Sequence, residues 1–187
     1  VNDVSACDDP GWVPVLTEHR CPVILMHMRG TPASMQENTN YPAGVLNEIC
    51  GFLEDRIELL ATGGIVRERM IVDPGIGFSK EAGQNMEILA GLRQLRGLGR
   101  PILFGASRKF FLGSILGDAS GRGRDPLERD VATVAANMAA VLQGASILRV
   151  HNVPYTRDLL DVAEALRLAA EQGLALDALQ GSGEGGA

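Results

Sequence analysis

Cysteine and basic residues are scarce in this chain of 187 residues. The three cysteines, Cys7, Cys21 and Cys50, form neither a CxxC pair nor an even-numbered set, so neither structural zinc nor a disulfide scaffold is indicated. Lysine and arginine number 17 against 23 aspartate and glutamate residues, which gives a net charge of -6. Because phosphate backbones bind clusters of basic residues, this acidic balance argues against nucleic acid as a partner.

Sequence signals of several other protein classes are also absent. No apolar run is long enough to span a bilayer, and no signal or transit peptide is recognisable, so we expect no membrane partner and a cytoplasmic location. No G-x-G-x-x-G turn occurs, which argues against a dinucleotide-binding sheet. No antiparallel hairpin signal occurs either, which favours a parallel sheet covered by helices.

The chain alternates short apolar runs with amphipathic segments of helical length. The apolar runs predict parallel strands near the start of the chain and at residues 22–27, 70–72, 102–104 and 147–150. The amphipathic segments predict helices at about 9–20, 42–62, 84–96, 107–116, 126–143 and 154–170. We therefore expect one α/β domain over residues 1–172 and a tail over 173–187 whose end is disordered.

Two architectures fit this alternation: an open doubly wound sheet, or part of a (β/α)8 TIM barrel. A full barrel typically needs about 250 residues. A barrel portion holding the C-terminal five βα units explains both the length and the abrupt first strand, so we expect that architecture. Such a portion has two unpaired sheet edges, which favour aggregation. We therefore expect the rest of the barrel to be supplied by further sequence or by another polypeptide.

The first candidate site residues follow the strand predicted at residues 70–72. Asp73 precedes Pro74, which holds it in an extended conformation at the end of the strand. A carboxylate there can accept two parallel hydrogen bonds from a planar amino-pyrimidinone, although it can also simply accept bonds from loop amides. Gly75 and Gly77 permit close approach of the backbone to a ligand, and Phe78 offers an aromatic face.

A second group follows the strand predicted at residues 102–104. Ser107 is a plausible N-cap, which would place Arg108 and Lys109 in the first turn of a helix. The helix dipole disfavours positive charge there by roughly 0.3 to 1 kcal/mol for each residue. Two cations at unfavourable positions indicate a compensating function, such as a hydrogen bond donated to a ligand ring or the binding of an anion. The alternative is a pair of solvated surface cations.

The third group lies at the end of the last predicted strand. Arg149 and His151 alternate with apolar residues, so both side chains point to the same face. A guanidinium and an imidazole that converge there suit a diphosphate, although a single histidine is more often structural. His27 is expected to be a buried, neutral histidine. Asn2 and Met26, at the ends of the first two strands, are weak signals by themselves.

These motifs, taken in order, closely resemble the dihydropteroate synthase family over residues 1 to about 170. The motifs are Asn-Asp-Val at 2–4, Leu-Met-His-Met-Arg-Gly-Thr-Pro with Met-Gln-Glu-Asn over 25–38, Asp-Pro-Gly-Ile-Gly-Phe at 73–78, Gly-Ala-Ser-Arg-Lys at 105–109 and Arg-Val-His at 149–151. One departure is Asn152, where the family commonly has aspartate. We expect this change to alter only hydrogen bonds behind the site.

The resemblance implies a homodimeric (β/α)8 barrel, a sulfonamide target, that condenses 6-hydroxymethyl-7,8-dihydropterin diphosphate with p-aminobenzoate in the presence of Mg2+. The products are 7,8-dihydropteroate and pyrophosphate. Lys109, Arg149 and His151 are the implied catalytic residues, and no residue of this chain is an implied metal ligand. The resemblance also implies a pterin pocket, which consists of Asn2, Met26, Asp73, Phe78, Gly105 and Lys109. It implies that Arg149 and His151 hold the diphosphate and that Arg149 also stacks near the pterin. Ser107 is implied to lie near the p-aminobenzoate carboxylate.

Two other functions stay open at this point. A methyltetrahydrofolate-dependent methyltransferase would also bind a pterin, but its substrate has no diphosphate for Ser107-Arg108-Lys109 and Arg149-Val-His151 to contact. A non-catalytic remnant that binds only pterin or a partner chain is the other possibility. In the resembling family, contacts to p-aminobenzoate and Mg2+-diphosphate come largely from earlier loops. We therefore expect the isolated chain to be inactive and to require the N-terminal part of the barrel.

Overall fold

Parallel strands alternate with helices along the chain, as predicted. The structure, a computed structural model, describes residues 1–31, 33–117 and 122–181. Pro32 of the resembling motif, part of the predicted loop at 117–125, and the predicted disordered end therefore lie outside the described residues. The chain divides into two compact units, Val1–His151 and Asn152–Ala187. The strands are β1 (Asn2–Asp3), β2 (Val23–Met26), β3 (Met70–Asp73), β4 (Leu103–Phe104) and β5 (Ile147–Leu148).

The helices agree with the predicted segments in number and order within the described residues. They are α1 (Trp12–His19), α2 (Val45–Thr62), α3 (Ala82–Ala90), α4 (Phe110–Ile115), α5 (Asp130–Leu142) and α6 (Val153–Gly181), with 3-10 turns at Met35–Glu37, Arg67–Arg69, Leu92–Leu98 and Pro126–Arg129. None of these described helices combines the length and apolar character needed to cross a membrane.

The strands form a parallel array in sequential order. Hydrogen bonds join β1, β2 and β3 into one sheet and β4 and β5 into another. A parallel bridge between Val72 and Ile102 connects the two sheets, so that each strand neighbours the next one along the chain. Because parallel strands present their carboxyl ends at one edge, the residues that follow the five strands lie along a common edge.

The core lies between the strands and the helices of the first unit. Helix α2 buries the apolar positions that the helical periodicity predicts, and full burial of each such side chain contributes roughly 1.5 to 3 kcal/mol. The helix ends at Gly63, and Gly64 has a φ of 94° that favours glycine. The buried residues of α2 are Val45, Leu46, Ile49, Leu53, Ile57 and Leu60.

Three predicted helices have different limits in the structure. The helix predicted at 84–96 is α3 followed by a 3-10 segment, because Gly91 separates the two. The helix predicted at 126–143 begins with a 3-10 turn that Asp125 and Glu128 cap reciprocally. The helix predicted to end near residue 170 continues to Gly181, because alanine, leucine and glutamine favour helix over residues 171–180. The predicted division between residues 172 and 173 stays a prediction.

Candidate active site

The ends of the first three strands bring three predicted residues to one edge. Met26 and Asp73 are direct partners in the register of β2 and β3, and the His27 N–H donates to the Asp73 carbonyl at 3.0 Å. Asn2 pairs with Ile24, two positions before Met26, and its side chain is exposed. Met26 is fully buried, and its implied place in the pterin pocket stays a prediction.

The Asp73 carboxylate is buried at the end of β3, and Gly75 N–H donates to its Oδ1 at 2.7 Å. Burial raises the pKa of Asp73, whereas the Gly75 N–H and the positive charges of Lys109, Arg149 and Lys80 oppose that rise. Asp73 therefore accepts a loop amide, as the simpler interpretation predicted, but it also faces three cations. A buried carboxylate among several cations is typical of a functional site.

The turn after Asp73 requires glycine at two positions. Gly75 has a φ of 68° and Gly77 a φ of 78°, both in the left-handed region. A Cβ on Gly75 would overlap the carbonyl oxygen of His27, so the turn packs directly against the end of β2. The positive φ predicted for these glycines is confirmed, and their predicted role in close approach of the backbone to a ligand stays a prediction. Phe78, half-buried, closes the turn with a hydrogen bond from its N–H to the Gly75 carbonyl at 3.0 Å.

Lys109 lies on the other side of the same turn. Its Nζ donates to the Ile76 carbonyl and lies 4.6 Å from the centroid of the Phe78 ring. Burial lowers the pKa of Lys109 to about 8, although the charge of Asp73 opposes this change. The predicted convergence of Asp73, Phe78 and Lys109 is therefore present in the structure.

The predicted N-cap role of Ser107 is wrong. Helix α4 begins at Phe110, and Lys109 occupies its N-cap position without a capping side-chain bond. Arg108 adopts a left-handed φ of 58°, which interrupts any helix that starts at Ser107. Its guanidinium forms a bidentate pair with Asp130, at 2.7 and 2.9 Å, and so binds α5 instead of facing the turn. The helix-dipole argument for two first-turn cations does not hold.

Ser107 instead contacts His151. Its Oγ accepts the backbone N–H of His151 at 3.1 Å and lies 2.9 Å from the ring Nδ1 of that histidine. The Arg149 side chain lies over the end of β4, because a Cβ on Gly105 would be only 3.3 Å from its Nε. Arg149 and His151 are both exposed. The predicted pair at the end of the last strand is therefore available to a ligand beside Gly105 and Ser107.

His27 is a buried, neutral histidine, as predicted. Its ring lies edge-on to Phe52 at 5.1 Å between centroids. Burial and the nearby charges of Lys80 and Arg29 lower the pKa of His27 to about 3. The ring therefore carries no charge at neutral pH.

Two buried residues at this turn were missed by the sequence reasoning. Lys80 is 3% exposed, and its ammonium contacts the end of β2 and the turn after β3. Ser79 joins the long loop after β2 to the same turn: the Arg29 N–H donates to Ser79 Oγ at 2.6 Å, and the Tyr41 hydroxyl donates to the Ser79 carbonyl at 3.0 Å. Both residues follow a glycine-rich turn, but no periodicity or spacing in the sequence distinguishes them from surface residues.

A cavity of about 480 Å³ lies beside the turn. Two lysines and several aromatic rings contribute to its wall, which suits a flat, polar ligand. Across the described ranges, no group of three or more histidine, cysteine, aspartate or glutamate side chains could hold a metal ion. The cavity is lined by Met35, Gly77, Phe78, Lys80, Ala82, Asn85, Lys109, Phe110 and Phe111.

Comparison with known proteins agrees with this geometry. Residues 1–151 match the family described as "Pterin binding enzyme". The chain belongs to this family. Within the family, a dihydropteroate synthase of Synechocystis is 41% identical over 167 residues, which cover 89% of this chain and 56% of that protein. The predicted resemblance is therefore confirmed.

Solved structures of pterin binding enzymes share the fold. Yersinia pestis dihydropteroate synthase, determined as a sulfonamide drug complex, superimposes with a TM-score of 0.83 at 34% identity and covers 90% of this chain and 59% of its own. Xanthomonas albilineans dihydropteroate synthase in complex with 7,8-dihydropteroate gives a TM-score of 0.79 at 37% identity, with 89% and 58% covered. The chain thus spans less than two thirds of the length of these relatives.

Proposed function

We propose that this chain forms the pterin- and diphosphate-binding part of a dihydropteroate synthase in folate biosynthesis. The observation that carries the proposal is the convergence of buried Asp73 with Lys109 and Arg149 at the carboxyl edge of the sheet. A carboxylate beside an aromatic ring suits the amino-pyrimidinone edge of a pterin. An exposed arginine and histidine on the neighbouring strand suit its diphosphate. This pairing of sites favours a diphosphate substrate over a methylated folate.

The proposed reaction follows from these positions. Asp73 accepts hydrogen bonds from the pterin, and Lys109 donates to another edge of the ring, which fixes the reacting methylene group. Arg149 and His151 stabilise the charge that develops on the diphosphate as the C–O bond breaks and its electron pair leaves with pyrophosphate. The aniline nitrogen of p-aminobenzoate then forms the C–N bond and loses a proton. No protein nucleophile is required.

The strand order supports the architecture that the sequence predicts. A doubly wound sheet reverses its strand order at a switch point, whereas a (β/α)8 barrel keeps sequential order. Here β1 to β5 follow one another. We propose that the described strands are the C-terminal five βα units of such a barrel and that catalysis requires an N-terminal part carrying the remaining units.

Further features of the proposed enzyme stay predictions. These are the homodimer, the cytoplasmic location, the sulfonamide sensitivity and the requirement for Mg2+. The described residues offer no cluster of three metal-binding side chains, so no step above depends on a metal held by this chain. We propose that Mg2+ binds through the diphosphate itself and through the remainder of the barrel.

Pterin binding and product formation test the proposal separately. Calorimetry with 6-hydroxymethyl-7,8-dihydropterin diphosphate should show binding that Asp73→Ala weakens by about 1 to 3 kcal/mol, because partner groups on the ligand lose their acceptor. Asp55→Ala, an exposed position on α2, is the control. Dihydropteroate synthesis should appear only after addition or fusion of an N-terminal segment with three βα units. Binding without synthesis in the completed barrel would favour the non-catalytic alternative.

A further inference from the structure

Lys80 holds a buried ammonium among main-chain carbonyls. Its Nζ donates to the Phe78 carbonyl at 2.8 Å, to the Gly75 carbonyl at 3.1 Å and to the His27 carbonyl at 3.3 Å. The same Nζ lies 3.1 Å from His27 Nδ1. Because an ammonium has no acceptor, a charged Lys80 requires a neutral His27 that carries its proton on Nε2; the low pKa of His27 provides the neutral ring.

These contacts join two strand ends that carry predicted ligand residues. His27 directly follows Met26 on β2, while Gly75 and Phe78 belong to the turn that follows Asp73 on β3. A turn with two left-handed glycines has many accessible conformations, so an additional restraint is needed to fix it. Lys80 supplies three hydrogen bonds to this region from a single atom, its Nζ.

The charge of Lys80 also acts on Asp73. Lys109, Arg149 and Lys80, in decreasing order of effect, are the positive groups that oppose the burial-driven rise in the pKa of Asp73. Burial lowers the pKa of Lys80 to about 7. The charge of Asp73 opposes this decrease, whereas the charges of Lys109 and Arg29 add to it. Lys80 therefore loses its charge more readily than an exposed lysine as the pH rises. A neutral amine has only two N–H groups for the three carbonyls, and it no longer favours an ionised Asp73.

We propose that Lys80 is a positioning residue for pterin binding: it fixes the Gly75–Phe78 turn against the end of β2 and favours the ionised form of Asp73. This inference rests on the proposed function and deepens it. It assigns a role to a residue that lies beside the ligand-contacting positions Asp73 and Phe78. Loss of Lys80 should therefore change both the order of the turn and the pH dependence of pterin affinity.

The test compares wild-type protein with Lys80→Met by two measurements. Hydrogen exchange of the Gly75 and Phe78 amides should become at least about tenfold faster in the variant, because both amides, and the Gly75 carbonyl that accepts from Phe78, lie in the released turn. Calorimetry with 6-hydroxymethylpterin at pH 6 and pH 8 should give a larger ratio of variant to wild-type Kd at pH 6, because loss of the Lys80 charge makes Asp73 easier to protonate.

Arg56→Met is the matched control. Arg56 also donates to two main-chain carbonyls, those of Ala6 and Cys7, but it does so in the loop after β1. Its loss should leave Phe78 exchange and the Kd ratio unchanged. If Lys80→Met does not fold, Lys80→Gln, which retains an amide donor, should still show the pH-dependent ratio.

Each outcome decides the proposal. Unchanged exchange of the turn would overturn it, and so would a weaker affinity with the same ratio at pH 6 and pH 8, because a purely structural lysine would give that result. Failure of wild-type protein to bind the pterin would contradict the proposed function instead. The exchange rates of the Gly75 and Phe78 amides would then still test, independently of pterin binding, whether Lys80 fixes the turn.

Discussion

The Oγ of Ser107 contacts both the backbone N–H of His151, at 3.1 Å, and the ring Nδ1 of the same residue, at 2.9 Å. One hydroxyl on the loop after β4 therefore fixes the main chain and the side chain of a residue after β5. The other ring nitrogen, Nε2, is not used by this contact. Ser107 thus orients the imidazole that is proposed to bind the diphosphate.

The first prediction concerns this serine. Ser107→Ala should weaken binding of the pterin diphosphate by about 1 kcal/mol, roughly fivefold, because the imidazole loses its fixed orientation. Affinity for a pterin without the diphosphate should stay the same. Ser114→Ala, an exposed serine on α4, is the control for calorimetry. Equal losses for both ligands would instead place Ser107 near the pterin ring.

The second prediction separates the two halves of the site. Arg149→Ala and His151→Ala should each weaken the diphosphate substrate by about 10- to 100-fold, because charge-assisted hydrogen bonds contribute roughly 1.5 to 3 kcal/mol. Binding of 6-hydroxymethylpterin should fall much less. Arg67→Ala, at the amino end of β3 and therefore at the opposite edge of the sheet, should change neither affinity. A comparable loss for both ligands would contradict a diphosphate role.

The third prediction follows from His27. Its pKa is about 3 in the folded chain and 6.5 as a free side chain, so the unfolded state binds more protons between these values. The stability from neutral His27 is complete above pH 6.5 and is lost as the pH falls. Between pH 6.5 and pH 5 this loss should be about 2 kcal/mol in the free energy of unfolding.

Denaturant unfolding of His27→Gln and His19→Gln at both pH values measures this difference. His19 is exposed, so His19→Gln should keep the acid sensitivity of the wild type, whereas His27→Gln should lose it. The comparison between the two variants removes the contribution of Asp73, which titrates in both. The same acid sensitivity in both variants would show that His27 is not the responsible group.

The fourth prediction tests the turn after β3. Gly75→Ala should destabilise the chain by about 3 kcal/mol or more, because its Cβ would overlap the His27 carbonyl and its φ of 68° is strained for alanine. Gly83→Ala in α3 meets no atom within 4 Å and should stabilise by about 0.5 to 1 kcal/mol. Thermal unfolding of both variants gives the comparison. A mild effect at Gly75 would mean that the turn can move away from β2.

The site residues that could be predicted are those with a signal in the neighbouring sequence. Asp73 and Arg149 were identified because each follows a short apolar run, and parallel strands bring such positions to one edge. Ser107 was placed at the site, but with the wrong role, because N-cap preference depends on neighbours in sequence whereas its observed partner His151 is 44 residues away. Lys80 was missed because its partners are carbonyls, which every residue carries and no sequence pattern identifies.

The turn at Gly75 affects how resistance to inhibitors of the proposed enzyme could arise. The turn packs directly against the His27 carbonyl, and Lys80 Nζ joins the Gly75 and His27 carbonyls. A compound that packs against these main-chain atoms would meet a surface that substitution of Gly75 cannot reshape without displacing β2. A compound that depends on Met35 or the exposed ring of Phe110 would instead contact side chains that single substitutions can replace, and resistance should arise there first.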